Sequence, residues 1–359
     1  MGRFVALFLL LGTLSLSLGI GSYDVDLSFN DDLVGGRKVQ AFISVIDSSM
    51  MNPYDGDVSL IAKNGKVLNF DGKVDGGLGM FDFVPDENAT EVFFDVSSRY
   101  FERKFSFFST PRKFLDSEDW YLVVKDFSGS VGIKRKGSSE VVAVEIGMKV
   151  FPGDEIYTME NSYVQLEGPN GINFFVVPNS VVRLDKFKKK EEDVLIKLKV
   201  MKGQTLSKIL KKLSASSLVI VEAGGVTAGV RGTIFSMGFE GDSLYLRTFK
   251  GRVALNVMGQ TTDVEEGKMA VFSGDLLFYI REKRKIFEDL RRDIREVLSR
   301  GVMSYMKRFE LMEHVMNEIF ELRARRALGR FGISSVVGKI DEGLKEFERK
   351  FMRRKRNGR

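Results

Sequence analysis

Glycines and aspartates are the residues of this chain whose spacing first suggests chemistry. The segment Ala223–Gly232 carries four glycines, and glycine-rich loops cradle phosphate when they follow a strand and open a helix. Here the residues after Gly232 alternate in polarity as in a strand, and neither GxGxxG nor GK[ST] is present. We therefore interpret the glycines as structural and predict no cofactor site.

Two aspartate pairs near the N-terminus offer oxygen ligands of the kind that calcium prefers. They are Asp55 with Asp57, and Asp71 with Asp75. Neither pair matches a defined calcium loop, and aspartate beside glycine is the ordinary composition of a turn. We predict no metal site.

The cysteine and histidine counts exclude several kinds of catalytic centre. The chain has no cysteine, which excludes disulfides, thiolate metal sites and a cysteine nucleophile. Its one histidine, His314, makes a histidine-based zinc site or a Ser-His-Asp triad a poor match. We predict no catalytic residues and a protein that is not an enzyme.

The N-terminus differs from the rest of the chain. A short positive head precedes an apolar run from Phe4 to Leu11, and Gly19–Gly21 supplies small residues. This pattern predicts a signal peptide over residues 1–21 and an extracytoplasmic protein, in the periplasm or at the cell surface. An uncleaved N-terminal anchor is the alternative.

Strand periodicity dominates from residue 22 to residue 280, and helical periodicity follows it. Strand-like runs and turn residues predict an immunoglobulin-like sandwich over 22–112, a linker with a first strand over 113–127, and a second β domain over 128–280. Within the second domain, Lys186–Asp193 is predicted to be an exposed charged loop. Apolar residues at three-four spacing over 281–359 predict an α-helical hairpin or coiled coil. The predicted fold class is mainly all-β with this C-terminal helical region.

Charge is distributed unevenly along the chain. Residues 281–359 hold 23 basic and 13 acidic residues, whereas residues 22–112 hold 9 basic and 15 acidic residues. An exported protein does not meet the chromosome, so we predict no nucleic acid as partner. The expected partner is an envelope protein or an anionic cell-wall or membrane polymer. Self-association through the C-terminal helices is also expected. The candidate contact residues form a basic cluster: Arg323, Arg325, Arg326 and Arg330.

Several motifs of the second β domain, over roughly residues 128–275, resemble the FecR family of extracytoplasmic proteins. Gly153–Thr158 resembles the "GD.I.T" turn of that family, and Leu244–Val257 resembles its "v.V..G.V.V" hairpin. Its "VRGTxF" signature is matched by Val230, Arg231, Gly232, Thr233 and Phe235.

The resemblance implies an all-β module used for protein or ligand contact. The chain departs from the family pattern at two places. Glu222-Ala223 stands where the family usually has Thr-Pro. An acidic β domain stands where regulatory members have a cytoplasmic segment followed by a membrane helix. We therefore predict a non-catalytic envelope protein that acts in binding or scaffolding. The first alternative is a periplasmic signalling or regulatory component of a transmembrane sensing system, and the second is a polysaccharide-active enzyme.

Overall fold

The computed structural model describes residues 23–47, 52–209, 213–230 and 232–274, together with scattered positions between 276 and 318. Within these ranges the chain builds two β lobes, one from residues 23–108 and one from residues 122–272.

The N-terminal lobe contains ten strands. They are β1 (Tyr23–Phe29), β2 (Val39–Asp47), β3 (Asn52–Pro53), β4 (Gly56–Asp57), β5 (Ser59–Lys63), β6 (Gly65–Leu68), β7 (Lys73–Val74), β8 (Leu78–Pro85), β9 (Glu91–Ser97) and β10 (Glu102–Phe108). One sheet has the order β1-β2-β8-β6 with β3 beside β2, a second has the order β10-β9-β5, and β4 pairs with β7 in a ribbon.

The core of the N-terminal lobe follows from alternation along these strands. Val92, Phe94 and Val96 of β9 are buried, whereas the residues between them face outward. Phe94 meets Phe83 of the other sheet with ring centroids 4.7 Å apart, in an edge-to-face arrangement. The two sheets thus bury one shared aromatic core.

The second lobe contains seventeen strands. They are β11 (Leu122–Ser128), β12 (Val131–Lys134), β13 (Val141–Ala143), β14 (Lys149–Val150), β15 (Glu155–Thr158), β16 (Tyr163–Glu167), β17 (Ile172–Val176), β18 (Val181–Lys190), β19 (Asp193–Lys202), β20 (Gln204–Ile209), β21 (Leu218–Ala223), β22 (Val226–Val230), β23 (Ile234–Glu240), β24 (Ser243–Lys250), β25 (Arg252–Val257), β26 (Gln260–Glu265) and β27 (Met269–Phe272).

These strands form two large sheets that enclose one apolar core. The first has the order β14-β11-β16-β17-β20-β23-β24-β27. The second, which we call the outer sheet, has the order β13-β12-β15-β18-β19-β21-β22-β25-β26. Val182, Leu198 and Val221 of the outer sheet and Phe174 and Phe235 of the other sheet are all fully buried in the core between them.

One strand pair of the outer sheet is parallel. β19 pairs with β21 in parallel because the intervening β20 lies in the other sheet and carries the chain back. The switch between sheets occurs at Gly203, which has φ +68°. A Cβ on this residue would clash with Ser180, so a larger side chain does not fit.

The two lobes contact each other directly. The Ser106 amide of β10 donates to the Gly259 carbonyl at 2.7 Å, and the Asn256 side-chain amide donates to the Ser106 carbonyl at 2.8 Å. A small apolar cluster fills the joint, and it consists of Phe108, Phe114, Leu195, Leu218 and Ile220.

The prediction of a mainly all-β fold is confirmed, but its C-terminal α-helical hairpin or coiled coil was wrong. No helix of seven or more residues occurs among the described positions, and most of residues 281–359 lie outside them. The few helical positions described after β27 include Leu276, Leu277 and Ile280, which are buried in the strand core. A three-four apolar spacing is a weak guide because helices draw most of their stability from tertiary packing.

The predicted charged loop at Lys186–Asp193 was also wrong. β18 continues to Lys190 and β19 begins at Asp193, so only two residues turn the chain. Phe187 is fully buried and anchors this part of the strand in the core, while Lys186 and Lys188 face outward. The domain limits at 21/22, 112/113, 127/128 and 280/281 stay predictions. Within the described ranges, no helix has the length and apolar character needed to span a membrane.

Candidate functional site

A row of polar side chains crosses the outer sheet on the face that points away from its core. Lys134 lies opposite Glu155, Glu155 opposite Arg183, Arg183 opposite Lys199, and Lys199 beside Glu222. Directly paired residues of neighbouring strands share one face of a sheet. The pairing therefore brings five charged side chains from five strands into one line.

The neighbouring row places like charges opposite each other. Lys186 of β18 pairs with Lys197 of β19, an arrangement that is unfavourable by itself. A register shift between Leu184 and Lys186 adds Asp185 to this region, and the Arg183 Nε donates to its carboxylate at 2.5 Å. This hydrogen bond raises the pKa of the Arg183 guanidinium above its usual value.

Glu222, on the neighbouring strand β21, neutralises part of this positive charge. It is 3% exposed, and its carboxylate lies 2.8 Å from the Lys197 Nζ and 3.5 Å from the Lys199 Nζ. A buried carboxylate needs such partners because its desolvation is costly. Glu222, which stands where the FecR family usually has Thr-Pro, therefore forms ion pairs with two surface lysines.

The Gly153-Asp154 turn fixes one end of the charged rows. Asp154 is 3% exposed and accepts hydrogen bonds from the Arg135 guanidinium at 2.6 Å and from the amides of Phe151 and Lys136 at 3.0 and 3.1 Å. The Gly153 amide donates to the Leu184 carbonyl at 2.7 Å. The turn therefore holds the β12–β13 loop against β18.

Between these rows and the N-terminal lobe lies an open groove of about 980 Å³, which we call the charged groove. Its seven basic side chains are Lys134, Arg135, Lys136, Arg183, Lys186, Lys188 and Lys197. Its four carboxylates are Asp32, Asp119, Glu155 and Asp185. A smaller recess of about 280 Å³ continues the groove beneath the N-terminal lobe, toward Asn256.

The segment between the lobes contributes Asp119 to the groove lining, and ion pairs and a hydrogen bond hold this segment on the second lobe. The Lys188 Nζ lies 2.9 Å from the Asp119 carboxylate and donates to the Ser117 carbonyl at 2.7 Å. Lys113 forms an ion pair with Asp193 at the start of β19. The groove is thus lined by both lobes and by the segment that joins them.

The strand-end carboxylate Asp193 is held as an anion. Its burial raises its pKa, but hydrogen bonds from Lys113, Ser214 and Ser216 outweigh that effect and lower the pKa to about 2. Ser216 and Ser217 donate to it at 2.9 and 3.2 Å. Asp193 therefore fastens the joining segment and the segment before β21 to the outer sheet.

The described signature residues do not line the groove, and three of them are buried. Val230, Thr233 and Phe235 are at most 2% exposed, and Gly232 has φ +84°. Arg231 lies outside the described residues, as do the predicted contact residues Arg323, Arg325, Arg326 and Arg330.

The groove lysines were missed by sequence reasoning. The available signal was the alternation of lysine with apolar residues at Lys186–Lys188 and Lys197–Lys199, which marks one polar face of two strands. Among the described residues, no group of three or more histidine, cysteine or acidic side chains is placed to hold a metal ion.

Comparison with known proteins identifies part of the second lobe. Residues 154–254 match the model of the family described as FecR protein, which confirms the resemblance for β15–β25. No curated protein matches the chain.

Comparison with solved structures gives only limited overlaps. Two crystal structures of an inferred anti-sigma factor from Parabacteroides distasonis share 14% and 15% identity, each with a TM-score of 0.29, and cover 33% of this chain. The match spans 55% of the length of that protein. Trypsin-activated alpha-2-macroglobulin from Escherichia coli shares 10% identity at a TM-score of 0.25, over 70% of this chain and 23% of that one. Overlaps at these TM-scores do not establish a common fold.

Proposed function

We propose that the protein is a non-catalytic regulatory component of an extracytoplasmic signalling system, and that it binds an acidic partner protein in the charged groove. The observation that carries this proposal is the position of the groove. Its central strands β15, β18 and β19 all lie within the segment that matches the FecR family. This match favours the first alternative of the sequence analysis, a signalling or regulatory component, over its main prediction of a binding or scaffolding role.

The electrostatics of the groove favour an acidic partner. Its basic side chains outnumber its carboxylates by seven to four. No ion pair or hydrogen bond to another described side chain involves the ammonium groups of Lys134, Lys136 or Lys186, and Lys186 also faces Lys197 across the strand pair. An acidic surface placed in the groove would relieve this repulsion, and complementary charge of this kind accelerates and orients association.

The satisfied state of the buried carboxylates supports a binding role. Asp154 accepts from three groups and Glu222 lies between two lysines. Carboxylates whose oxygens are occupied by these partners are poorly placed to contact a substrate as a general acid or base. Export through the predicted signal peptide is part of the proposal, because the partner is expected in the envelope.

Neutralising the three unpaired lysines is the direct test. The triple variant Lys134→Gln, Lys136→Gln, Lys186→Gln removes the excess positive charge of the groove and leaves its salt bridges intact. In the producing organism, a photo-crosslinking amino acid at position 139, an exposed groove position that the triple variant leaves unchanged, should capture one envelope protein, and the triple variant should weaken that complex by about ten-fold or more. The triple variant should also reproduce the transcript changes caused by deleting the gene, as measured by RNA sequencing.

The matched control is Lys66→Gln, Lys250→Gln, Lys268→Gln, which removes the same charge from exposed positions outside the groove. It should retain the complex and the wild-type transcript levels. Capture at position 139 without any transcript change on deletion would contradict a regulatory role and leave scaffolding. Equal weakening by both triple variants would contradict the groove as the binding site.

A further inference from the structure

A second pocket lies at one end of the N-terminal lobe and has no part in the proposed regulatory function. It encloses about 550 Å³, which is within the range of small-ligand sites. Its lining comes from Tyr23 of β1, Asp47 of β2, residues 52–57, and Arg99 and Tyr100 between β9 and β10. No residue of the charged groove contributes to it.

Three tyrosine rings form the apolar part of this pocket. Tyr23 stacks on Tyr100 with centroids 5.6 Å apart, and Tyr54 meets Tyr23 edge-on at 5.6 Å. Tyr54 is buried in the core of the lobe, whereas Tyr100 is half exposed. Exposed, fixed aromatic rings present contact area at little entropic cost.

The polar part of the pocket mixes acceptors with donors. Asp47, Asp55 and Asp57 supply carboxylates, whereas Arg99 lies over the Tyr100 ring at 4.6 Å and forms no ion pair with another described residue. Burial raises the pKa of the Tyr23 phenol, the charge of Asp47 and the Tyr100 and Tyr54 hydroxyls raise it further, and Arg99 opposes them. These polar groups therefore converge on one region.

The loop that carries Tyr54 is held in place before any ligand arrives. The Tyr54 hydroxyl donates to the Asp57 carbonyl at 3.2 Å, and the Gly76 amide donates to the Asp55 carboxylate. A Cβ at Gly56 would lie 2.7 Å from the Tyr54 hydroxyl, so glycine permits this close approach. The pocket is thus built by several elements of the lobe.

We propose that this tyrosine pocket binds a neutral saccharide. The three aspartates disfavour an anion, and Arg99 already makes the cation–π contact with the Tyr100 ring that a cationic ligand would otherwise make. A sugar ring offers C–H faces to the tyrosine rings and hydroxyl groups that both donate to the carboxylates and accept from Arg99 and Asn52.

Titration calorimetry of the purified full-length protein tests the proposal, with chitotetraose, cellotetraose and maltotetraose as probes. At least one probe should bind. Tyr100→Ala should weaken its binding by about ten-fold, because the exposed ring is lost without opening the core. Asp57→Asn, which keeps the shape of an exposed side chain, should weaken it several-fold.

Tyr163→Ala is the control, since Tyr163 is also exposed but belongs to the second lobe. It should leave saccharide binding unchanged, and so should the triple lysine variant of the charged groove. Binding of none of the three probes would overturn the proposal. So would probe binding that Tyr100→Ala and Asp57→Asn leave intact, or binding of tetramethylammonium in place of the sugars. None of these outcomes bears on the partner site in the charged groove.

Discussion

At the scale of residues, Glu222 shows how one buried carboxylate organises a positive surface. Replacing a buried ion pair with apolar residues is often neutral or stabilising, so the pair is poor evidence for stability. Its effect here is positional, because Glu222 holds the Lys197 and Lys199 ammonium groups on the outer face of the sheet. Of the five groove lysines, Lys188 and Lys197 are held by carboxylates. The other three, Lys134, Lys136 and Lys186, have no described side-chain partner.

Asp193 gives the residue-scale prediction, which concerns acid stability. Its pKa is lowered from 3.8 to about 2 in the folded protein, so it contributes stability that is fully present above pH 3.8. That contribution is lost as the pH falls through its folded pKa of about 2. We expect the free energy of unfolding, measured by urea denaturation, to decrease over this interval.

The variant Asp193→Asn should be less stable at neutral pH and should lose this part of the acid dependence. Asp263→Asn is the control, because its ion pair with Arg252 lies on the surface at 3.3 Å, where such pairs contribute little. An Asp193→Asn variant with the wild-type slope below pH 4 would show that the carboxylate has no such role.

At the scale of elements, the second lobe depends on the chain changing sheets between β19 and β20. The parallel pairing of β19 with β21 requires β20 to lie in the other sheet. Gly203 is the residue at this switch, and its positive φ coincides with a close approach to Ser180. The geometry of the groove strands β18 and β19 therefore depends on a turn residue that does not itself line the groove.

Gly203→Ala should lower the free energy of unfolding by more than the cost of placing alanine at a positive φ. A Cβ there would lie 2.7 Å from the Ser180 Cα, so backbone would have to move. Gly241→Ala is the matched control, since Gly241 has φ +59° and nothing within 4 Å of the added Cβ. We expect a loss of about 1 kcal/mol for the control and clearly more for Gly203→Ala. Equal losses in thermal or urea unfolding would contradict steric contact as the cause.

At the scale of the whole molecule, the two lobes share a joint that also lines the recess continuing the charged groove. Phe108 and Phe114 pack on Leu195, Leu218 and Ile220 of the outer sheet. Hydrogen bonds from Ser106 and Asn256 flank this cluster. The relative position of the lobes, and with it the width of the charged groove, is set by these contacts.

Phe114→Ala should uncouple the lobes. Phe114 is 1% exposed, and truncation of a buried phenylalanine costs about 3–5 kcal/mol. Scanning calorimetry should show one transition in the wild type and two in the variant, because each lobe retains its own core. Phe93→Ala, at a 38% exposed position, should retain the single transition. A single, uniformly lowered transition for Phe114→Ala would contradict uncoupling.

Much of the fold could be predicted because its causes are local. Alternation of apolar and polar residues along β9 and β23 is a property of a few neighbouring residues, and it identifies strands without knowledge of their partners. The glycines at Gly224, Gly241 and Gly251 occupy turns with positive φ as their neighbours indicate. The FecR signature was found in the same way, because it is a contiguous string of core and turn residues.

The sites could not be predicted, because their causes are not local. Lys134, Lys186 and Glu222 come together only through strand register, and Tyr23 meets Tyr100 only through the folding of the N-terminal lobe. Register and sheet order depend on long-range pairing and on the shared core, and a shift of one residue would reverse every face. The sequence by itself determined most of the strands and turns and the FecR match of residues 154–254, but not the hairpin at Lys186–Asp193. The tertiary structure alone decided which side chains became neighbours.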